Sequence, residues 1–499
     1  MGFGGLYISI SGINANKKAL DTVSHNIANV NNPNYVRQRV IQAEGRYSTD
    51  VITRFQYGTG VNIQQINQIR DEFLDMKLRR EMAIYGYYFT KSEILEEMEV
   101  IFNEITSSGL QKVMDDFWNG WSELYKEPDS LTIRGLLHEK AVAFTTTVNH
   151  IATQLDDLQF NLNKEISIKA EEVNSLLREV ADLNKKIKLA EGYGPHVSAN
   201  DYRDERNRAL DELSGLIPIS YYENKYGEVV VSLNGRDLIN GDYFNPIEVK
   251  LDDEKGFGHI HWSDTGEKID LKGLGSLGGY IDARDKLVVE YRTRLNILVG
   301  ELASSINALH KLGYDLEGAQ DEIDFFEIGD PKDPAATIKV NPQLADFNKI
   351  AVGTSPARGD GNIAKAILDL RDINIYADYQ SYISNPDGYE YEVIAGNSID
   401  EVLENINNKA GNMNPDGFYR ELILSLALER EQARDMVLNQ TILTDQIRER
   451  KEEISSVSLD EEMANMLKYQ HSYIANSRVI NAIDEMIETI VNRLGIVGR

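Results

Sequence analysis

The two ends of this 499-residue chain carry the same seven-residue apolar signature, and that repetition constrains everything between them. Near the N-terminus Leu6, Ile13, Leu20 and Ile27 stand seven apart, with Ile10, Val23 and Val30 filling three- and four-residue steps. Near the C-terminus Leu459, Met466, Tyr473, Ile480, Ile487 and Leu494 keep the same spacing. A period of seven places each set on one stripe of a helix, which predicts a coiled-coil helix at either end. A stripe so narrow cannot hold an isolated helix together in water. The ends must pack on each other, on copies of themselves in other subunits, or on both, and they read as assembly elements.

Between them the spacing predicts a mainly α chain with β insertions. The first helix should stop at Asn29, Asn31 and Asn32, which suit C-cap and turn conformations, with Pro33 unable to continue the ladder. From Val36 to about Gln68, β-branched and polar residues broken by Gly45, Gly58 and Gly60 suggest strands or an extended arm. Long amphipathic helices follow over about 71–106, from Pro128 to about 190, over 277–312 and over 416–455. They predict an elongated helical bundle made of 69–216, 272–320 and 414–455. Two insertions interrupt it. Residues 217–271 switch to short strands with Asn234-Gly235 and Asn240-Gly241 as hairpin signals, a small β domain. Residues 321–413 hold five of the eleven prolines and read as a small mixed insertion. Ser458 before Glu461 and Glu462 then caps a terminal helix that Gly495 should end. Residues 1–68 and 456–499 together make the terminal coiled-coil domain.

Charge and composition exclude several functions. With 80 acidic against 52 basic residues the net charge is -28, which repels nucleic-acid backbones and acidic membrane surfaces, so neither is expected as a partner. Cysteine is absent, removing disulfides, thiol nucleophiles and thiolate metal sites. No apolar run approaches the ~20 residues that span a bilayer, and MGFGGLYISI lacks a basic leader, so a cleavable signal peptide is not expected.

Candidate chemistry is sparse. Gly273-x-Gly275-x-x-Gly278 follows a strand-like stretch and opens a helix, as a dinucleotide fingerprint does, but no βαβ unit surrounds it and a turn is the simpler reading. His259 and His261 share one strand face without a third ligand at a telling spacing. The sequon at Asn439 lies in a predicted helix, and Tyr85, Tyr87, Tyr88 and Phe89 are explained by helix packing. No catalytic, cofactor-binding or metal-ligating set is assigned, and no cofactor is expected.

The termini carry more than apolar spacing. ISGINANKKALDTVSHNIANVNNPNYVRQRV, with Asn26, Ile27, Asn29, Pro33 and Tyr35, resembles the N-terminal signature of the axial proteins of the bacterial flagellum. VSLDEEMANMLKYQHSYIANSRVINAIDEMIETIVNRL is similar to the C-terminus of the hook-associated proteins. DYRDERNRALDELSGLIPI, SLGGYIDARDKLVVEYRTRLNILVGELASSINALHKLGYDLEG and IKVNPQLADFNKIAVG resemble the FlgK family, the first hook–filament junction proteins. The resemblance covers most of the chain, although about 376–412 has no match and an outer β domain of full size is missing.

The resemblance implies a structural subunit that polymerises as a ring between hook protein and the second hook–filament junction protein and adapts one to the other. It implies an extracellular, flagellar location reached through type III export, and no enzymatic activity. The assembly interface would use Leu6, Ile10, Ile13, Leu20, Ile27, Asn29, Pro33, Tyr35, Leu459, Met466, Tyr473, Ile480, Ile487 and Leu494. In a free monomer such ends should be largely unfolded, and the C-terminal stripe should suit a flagellar export chaperone through helix-to-helix contact. A generic coiled-coil scaffold or secreted adhesin is the alternative, and a nucleotide-binding enzyme ranks below both.

Overall fold

The computed structural model describes residues 4–49, 54, 56–102, 109–192, 198–251, 256–377, 379–383, 393–408 and 411–494. The expected stop at Gly495 lies outside them. The chain forms two compact units, one from Met1–Tyr87, Ser167–Gly278 and Leu438–Arg499, the other from Tyr88–Ile166 and Gly279–Val437. The segments expected to form one bundle thus contribute to both.

Helix α1 (Gly4–Ala28) ends in the Asn-rich turn, where the Asn29 side chain donates to the His25 carbonyl at 3.0 Å and Asn32 accepts the Asn34 N–H at 3.1 Å. The chain then runs as expected into strands: β1 (Gln38–Glu44), β2 (Tyr47–Thr49), β3 (Gln56–Gly58) and β4 (Val61–Gln68). β1 pairs antiparallel with β4 from Gln38↔Gln68 to Glu44↔Val61, with a bulge at Ile41/Gln42, and β2 pairs with β3. Helices α2 (Glu72–Phe102), α3 (Leu110–Lys126), α4 (Leu131–Glu191) and α5 (Asn200–Leu216) follow. α3 was not anticipated as a separate helix, though its buried Leu110, Met114, Phe117, Trp118, Trp121 and Leu124 keep helical spacing.

The β region is β5 (Ser220–Glu223), β6 (Val229–Leu233), β7 (Arg236–Asn240), β8 (Tyr243–Phe244), β9 (Ile247–Leu251) and β10 (Gly258–Trp262). The first four make one antiparallel sheet and the last two a hairpin. Asn234 (φ 53°) and Gly235 (φ 84°) are both left-handed, which a two-residue hairpin turn between β6 and β7 requires. Asparagines on α4 seat this region. Asn184 donates to the carbonyls of Val229 and Gly241 and accepts the Val229 N–H, while Asn174 exchanges both of its bonds with the backbone of Ile247.

Helix α6 (Gly275–Asp282) leads through a π turn at Ala283–Leu287 into α7 (Val288–His310). Beyond it lie β11 (Phe326–Ile328), α8 (Pro334–Thr337), β12 (Ile338–Val340), α9 (Asn362–Asp369), α10 (Tyr379–Ile383) and α11 (Ile399–Asn408). This stretch does not fold apart from the helices. Phe325, Phe326, Ile338, Ile363, Ile367, Val402 and Ile406 belong to the same buried cluster as α3, α7 and the second unit's part of α4. Phe117 stacks on Phe144 with ring centres 5.7 Å apart and meets Phe326 at 5.8 Å. Within the unmatched stretch, wholly buried Tyr376 donates to the Leu298 carbonyl at 2.7 Å and pairs with Met413. Long helices α12 (Pro415–Ser455) and α13 (Leu459–Leu494) complete the chain.

The glycine motif has a packing role. Gly275 has φ 73°, and a Cβ there would lie 2.2 Å from the Leu216 carbonyl oxygen. A Cβ at Gly86 of α2 would lie 2.3 Å from the Gly215 carbonyl oxygen. α2, the end of α5 and the start of α6 therefore meet at backbone contact. Gly275→Ala is expected to cost about 2–4 kcal/mol from left-handed strain and overpacking, measured by urea unfolding. Added dinucleotide should leave the melt unshifted.

Candidate assembly interface

The two chain ends meet through small side chains. The buried residues of α1 are Ser9, Gly12, Ala15, Ala19, Thr22, Val23 and Asn26, which recur three or four apart except for the adjacent Thr22 and Val23. α13 lies antiparallel to them, since Gly5 faces Ile483, Gly12 faces Asn476 and Asn26 faces Glu462. A Cβ at Gly12 would stand 2.8 Å from the Asn476 side-chain oxygen, so the helices approach at a point where little more than backbone fits. Small side chains bury little area, at about 0.8 kcal/mol per CH₂. Specificity in this seam must come from elsewhere.

It comes from a polar knot at one end. Asn26 is wholly buried; its amide donates to the Gln38 carbonyl at 2.9 Å and to Glu462 Oε2 at 3.1 Å. Its oxygen accepts the Tyr35 hydroxyl at 2.7 Å and the Gln38 N–H at 3.0 Å. Arg37 then binds Glu462 Oε1 through Nε at 2.8 Å and Glu461 through Nη1 at 2.6 Å. The Arg37 N–H also donates to the Ser455 carbonyl at 2.9 Å. One asparagine thus ties α1, the entry to β1 and the first turn of α13. Burial, then the nearby Asp204, Asp201 and Glu462 carboxylates, push the Tyr35 phenol up and keep it a donor.

The hairpin is held on both sides. Toward α1, the Val61 N–H donates to Ser11 Oγ at 3.1 Å. Toward α5, Asn200 donates to Gln38 Oε1 and to the Ile66 carbonyl, and Gln68 donates to the Asn200 carbonyl and to Asp204.

The fourteen residues expected at an assembly interface divide accordingly. Tyr35 is buried in the knot; Asn29 closes α1 and Pro33 is exposed in the turn after it. Leu6, Ile13, Leu20, Ile27, Met466, Ile480 and Ile487 flank the α1–α13 contact half-buried. Ile10, Leu459 and Tyr473 are exposed, and the side chain of Leu494 lies outside the described residues. The small-residue seam, rather than the Leu/Ile stripe, is the most buried face of α1. Exposed apolar residues remain beside it, with Met463 at 57 %, Leu467 at 56 % and Ile474 at 39 % exposure on one face of α13, and Tyr7, Ile8 and Ile10 on α1. Arg37, Gln38 and Glu462 escaped the sequence reading as interface residues. The available signal was their place beside Asn26 and Glu461 in the two polar signatures.

Elsewhere, His259 and His261 sit half-buried on β10, where His261 Nδ1 lies 2.8 Å from the His259 carbonyl oxygen. Among the described residues no group of three or more His, Cys, Asp or Glu side chains could hold a metal ion, and no helix is long and apolar enough to cross a membrane.

Comparison with known proteins agrees with this geometry. A sequence model for the helical domain of flagellar hook-associated protein FlgK matches residues 95–326. A flagella basal body rod protein model matches 6–35, and one for the C-terminal part of basal body rod FlgEFG proteins matches 451–494. These two short matches are the stretches that the Asn26–Glu462 bond joins. The chain is 30% identical to flagellar hook-associated protein 1 of Bacillus subtilis, over 100% of its length and 99% of the relative. It is 24% identical to the protein of that name in Salmonella typhimurium and 22% to that in Escherichia coli, covering 97% of this chain and 98% of each relative. The solved flagellar hook junction protein FlgK from Burkholderia pseudomallei superposes with a TM-score of 0.54 at 14% identity, over 77% of this chain and 100% of that one, and so shares the fold.

Removing the hub tests the knot. Asn26→Ala leaves the buried Gln38 N–H and Tyr35 hydroxyl without their acceptor and is expected to ease opening of the α1–α13 pair by about 3 kcal/mol. Hydrogen exchange checks this as lost protection in peptides from α1 and α13, with peptides from 141–155 unchanged.

Proposed function

Because the chain belongs to the family of flagellar hook-associated protein 1, we propose that it forms the junction between hook and filament and adapts one to the other. It is a structural protein of the bacterial flagellum and not an enzyme. In our reading copies associate as a ring, with hook protein on one side and the second junction protein on the other. The chain reaches that position through the flagellar type III route, accompanied by an export chaperone.

The observation that carries this reading is the division of labour at the chain ends. Small residues and the Asn26 knot hold α1 to α13 within one chain, while Met463, Leu467 and Ile474 stay exposed on an otherwise strongly acidic protein. Exposed apolar side chains recurring on one helix face are the kind of surface that a neighbouring helix covers. The half-buried Leu6, Ile13, Leu20, Ile27, Met466, Ile480 and Ile487 rim this surface and become fully covered once neighbours stack. The chaperone would use the same α13 face before export.

Leu467→Asp combined with Ile474→Asp is expected to abolish attachment to hooks, scored by filament growth and by co-sedimentation with purified hooks. Since both positions are solvent-facing, the melt should move by no more than about 2 °C. Filament growth supported by this variant, or by a chain lacking 459–499, would overturn the proposal.

A further inference from the structure

The joint between the terminal hairpin and α5 contains one buried carboxylate without a cation bonded to it. Asp204 is 7% exposed, and its oxygens accept the Val36 N–H at 3.4 Å and the Gln68 amide at 2.6 Å. Both donors are neutral, and among the described residues no ion pair reaches it. Three further bonds across the joint run between amides that do not titrate, Asn200 to Gln38 and to the Ile66 carbonyl, and Gln68 to the Asn200 carbonyl, while the Gln38 amide also donates at 3.3 Å to Asp201, whose carboxylate is exposed to solvent.

The charges around Asp204 come from every neighbouring element. On its own helix Asp201 opposes ionisation, and Arg70 after β4 favours it but is itself bonded to Asp75. Before β1, Tyr35 is a neutral phenol and Arg37 is taken up by Glu461 and Glu462 of α13. On α1, His25 lies 3.4 Å from Asp201. We propose that Asp204 is a proton-operated latch, which when protonated seats the terminal hairpin on α5 and when ionised loosens that joint.

The chemistry follows from burial. An ionised carboxylate held by two neutral donors lacks the solvation it would have in water. Burial accordingly pushes the Asp204 carboxyl up to about 7, against the opposing pull of the Val36 N–H, Arg70 and Gln68. Once the joint opens, the carboxyl returns to the ordinary carboxylate range. A group whose pKa is raised in the closed form binds more protons closed than open, so protonation favours closure. The contribution is complete below the ordinary carboxylate value and is lost as pH rises toward 7.

The test is hydrogen exchange of the full-length protein between pH 5.5 and 8.0, followed in peptides covering 34–44 and 61–69 and divided by the intrinsic exchange rate. Opening of the wild-type joint should rise by up to about tenfold per pH unit until about 7 and level off above it. Asp204→Asn, which keeps shape and neutrality, should hold these peptides at a pH-independent protection equal to or above the wild type's at pH 8. Asp201→Asn, at an exposed position, should retain the dependence. Peptides from 141–155 supply the reference in the second unit. Wild-type protection that does not change with pH, or an equal dependence in Asp204→Asn, overturns the latch. If the asparagine variant unfolds, titration of the wild-type Asp204 carboxyl by NMR replaces it, and an ordinary carboxylate pKa refutes the proposal. Neither outcome bears on whether the chain joins hook to filament, which the hook-attachment assay reads separately.

Discussion

The bond between Asn26 and Glu462 spans 436 positions of sequence, and the arrangement of the chain ends depends on it. A buried asparagine has two donors and one oxygen to satisfy, and here its partners lie on the first turn of α13, through Glu462, and on the entry to β1, through the Gln38 backbone and the Tyr35 hydroxyl. Moving any one of these by a residue would leave a buried amide or carboxylate unpaired, at about 1–3 kcal/mol. The seam of glycine, alanine and serine supplies close approach without much preference for register. The knot therefore supplies the register, as a buried polar residue does in a helix pair at some expense of stability.

Much of the fold was legible because period is a strong signal. The helices over Gly4–Ala28, Leu131–Glu191, Pro415–Ser455 and Leu459–Leu494 carry long stripes that nothing else explains. The Asn234-Gly235 hairpin was legible because its left-handed geometry selects those residue types. At the chain ends the sequence reading fell short for one reason. Periodicity reports which residues are apolar, whereas the tightest contact of α1 is made by residues selected for being small. Gly12, Ala15 and Ala19 carry almost no hydropathy signal, so the Leu and Ile stripe beside them looked like the seam. The Gly273 and Gly275 motif misleads in the same manner, since close approach of backbone to backbone and of backbone to phosphate demand the same residue.

Region 321–413 shows a different limit. Its prolines and short elements suggested an independent insertion, but a segment with few long helices can still deliver large side chains to a neighbouring core. Phe325 and Phe326 lie 4.9 Å apart, edge to face, in the aromatic cluster of Phe117, Trp121 and Phe144. Tyr376 contributes from the start of 376–412. Local composition decides whether a segment is regular, while burial decides whether it is separate.

In the proposed assembly, the placement of charge at the chain ends follows from what a subunit would do twice, once alone and once among neighbours. An apolar seam strong enough to fix α1 on α13 by burial would use the Leu, Ile and Met residues that a neighbouring subunit would also need, and the two contacts would compete for the same side chains. Fixing the pair through Asn26, Arg37 and Glu462, with small residues along the rest, leaves those side chains at the rim or in solvent. Leu459, Met463, Leu467 and Ile474 are thereby left exposed to solvent. An acidic chain with a net charge of -28 tolerates such exposure better than a neutral one, because like charge keeps copies apart until geometry brings these faces together. Separating the polar determinant of pairing from an apolar determinant of stacking would let one helix serve both contacts.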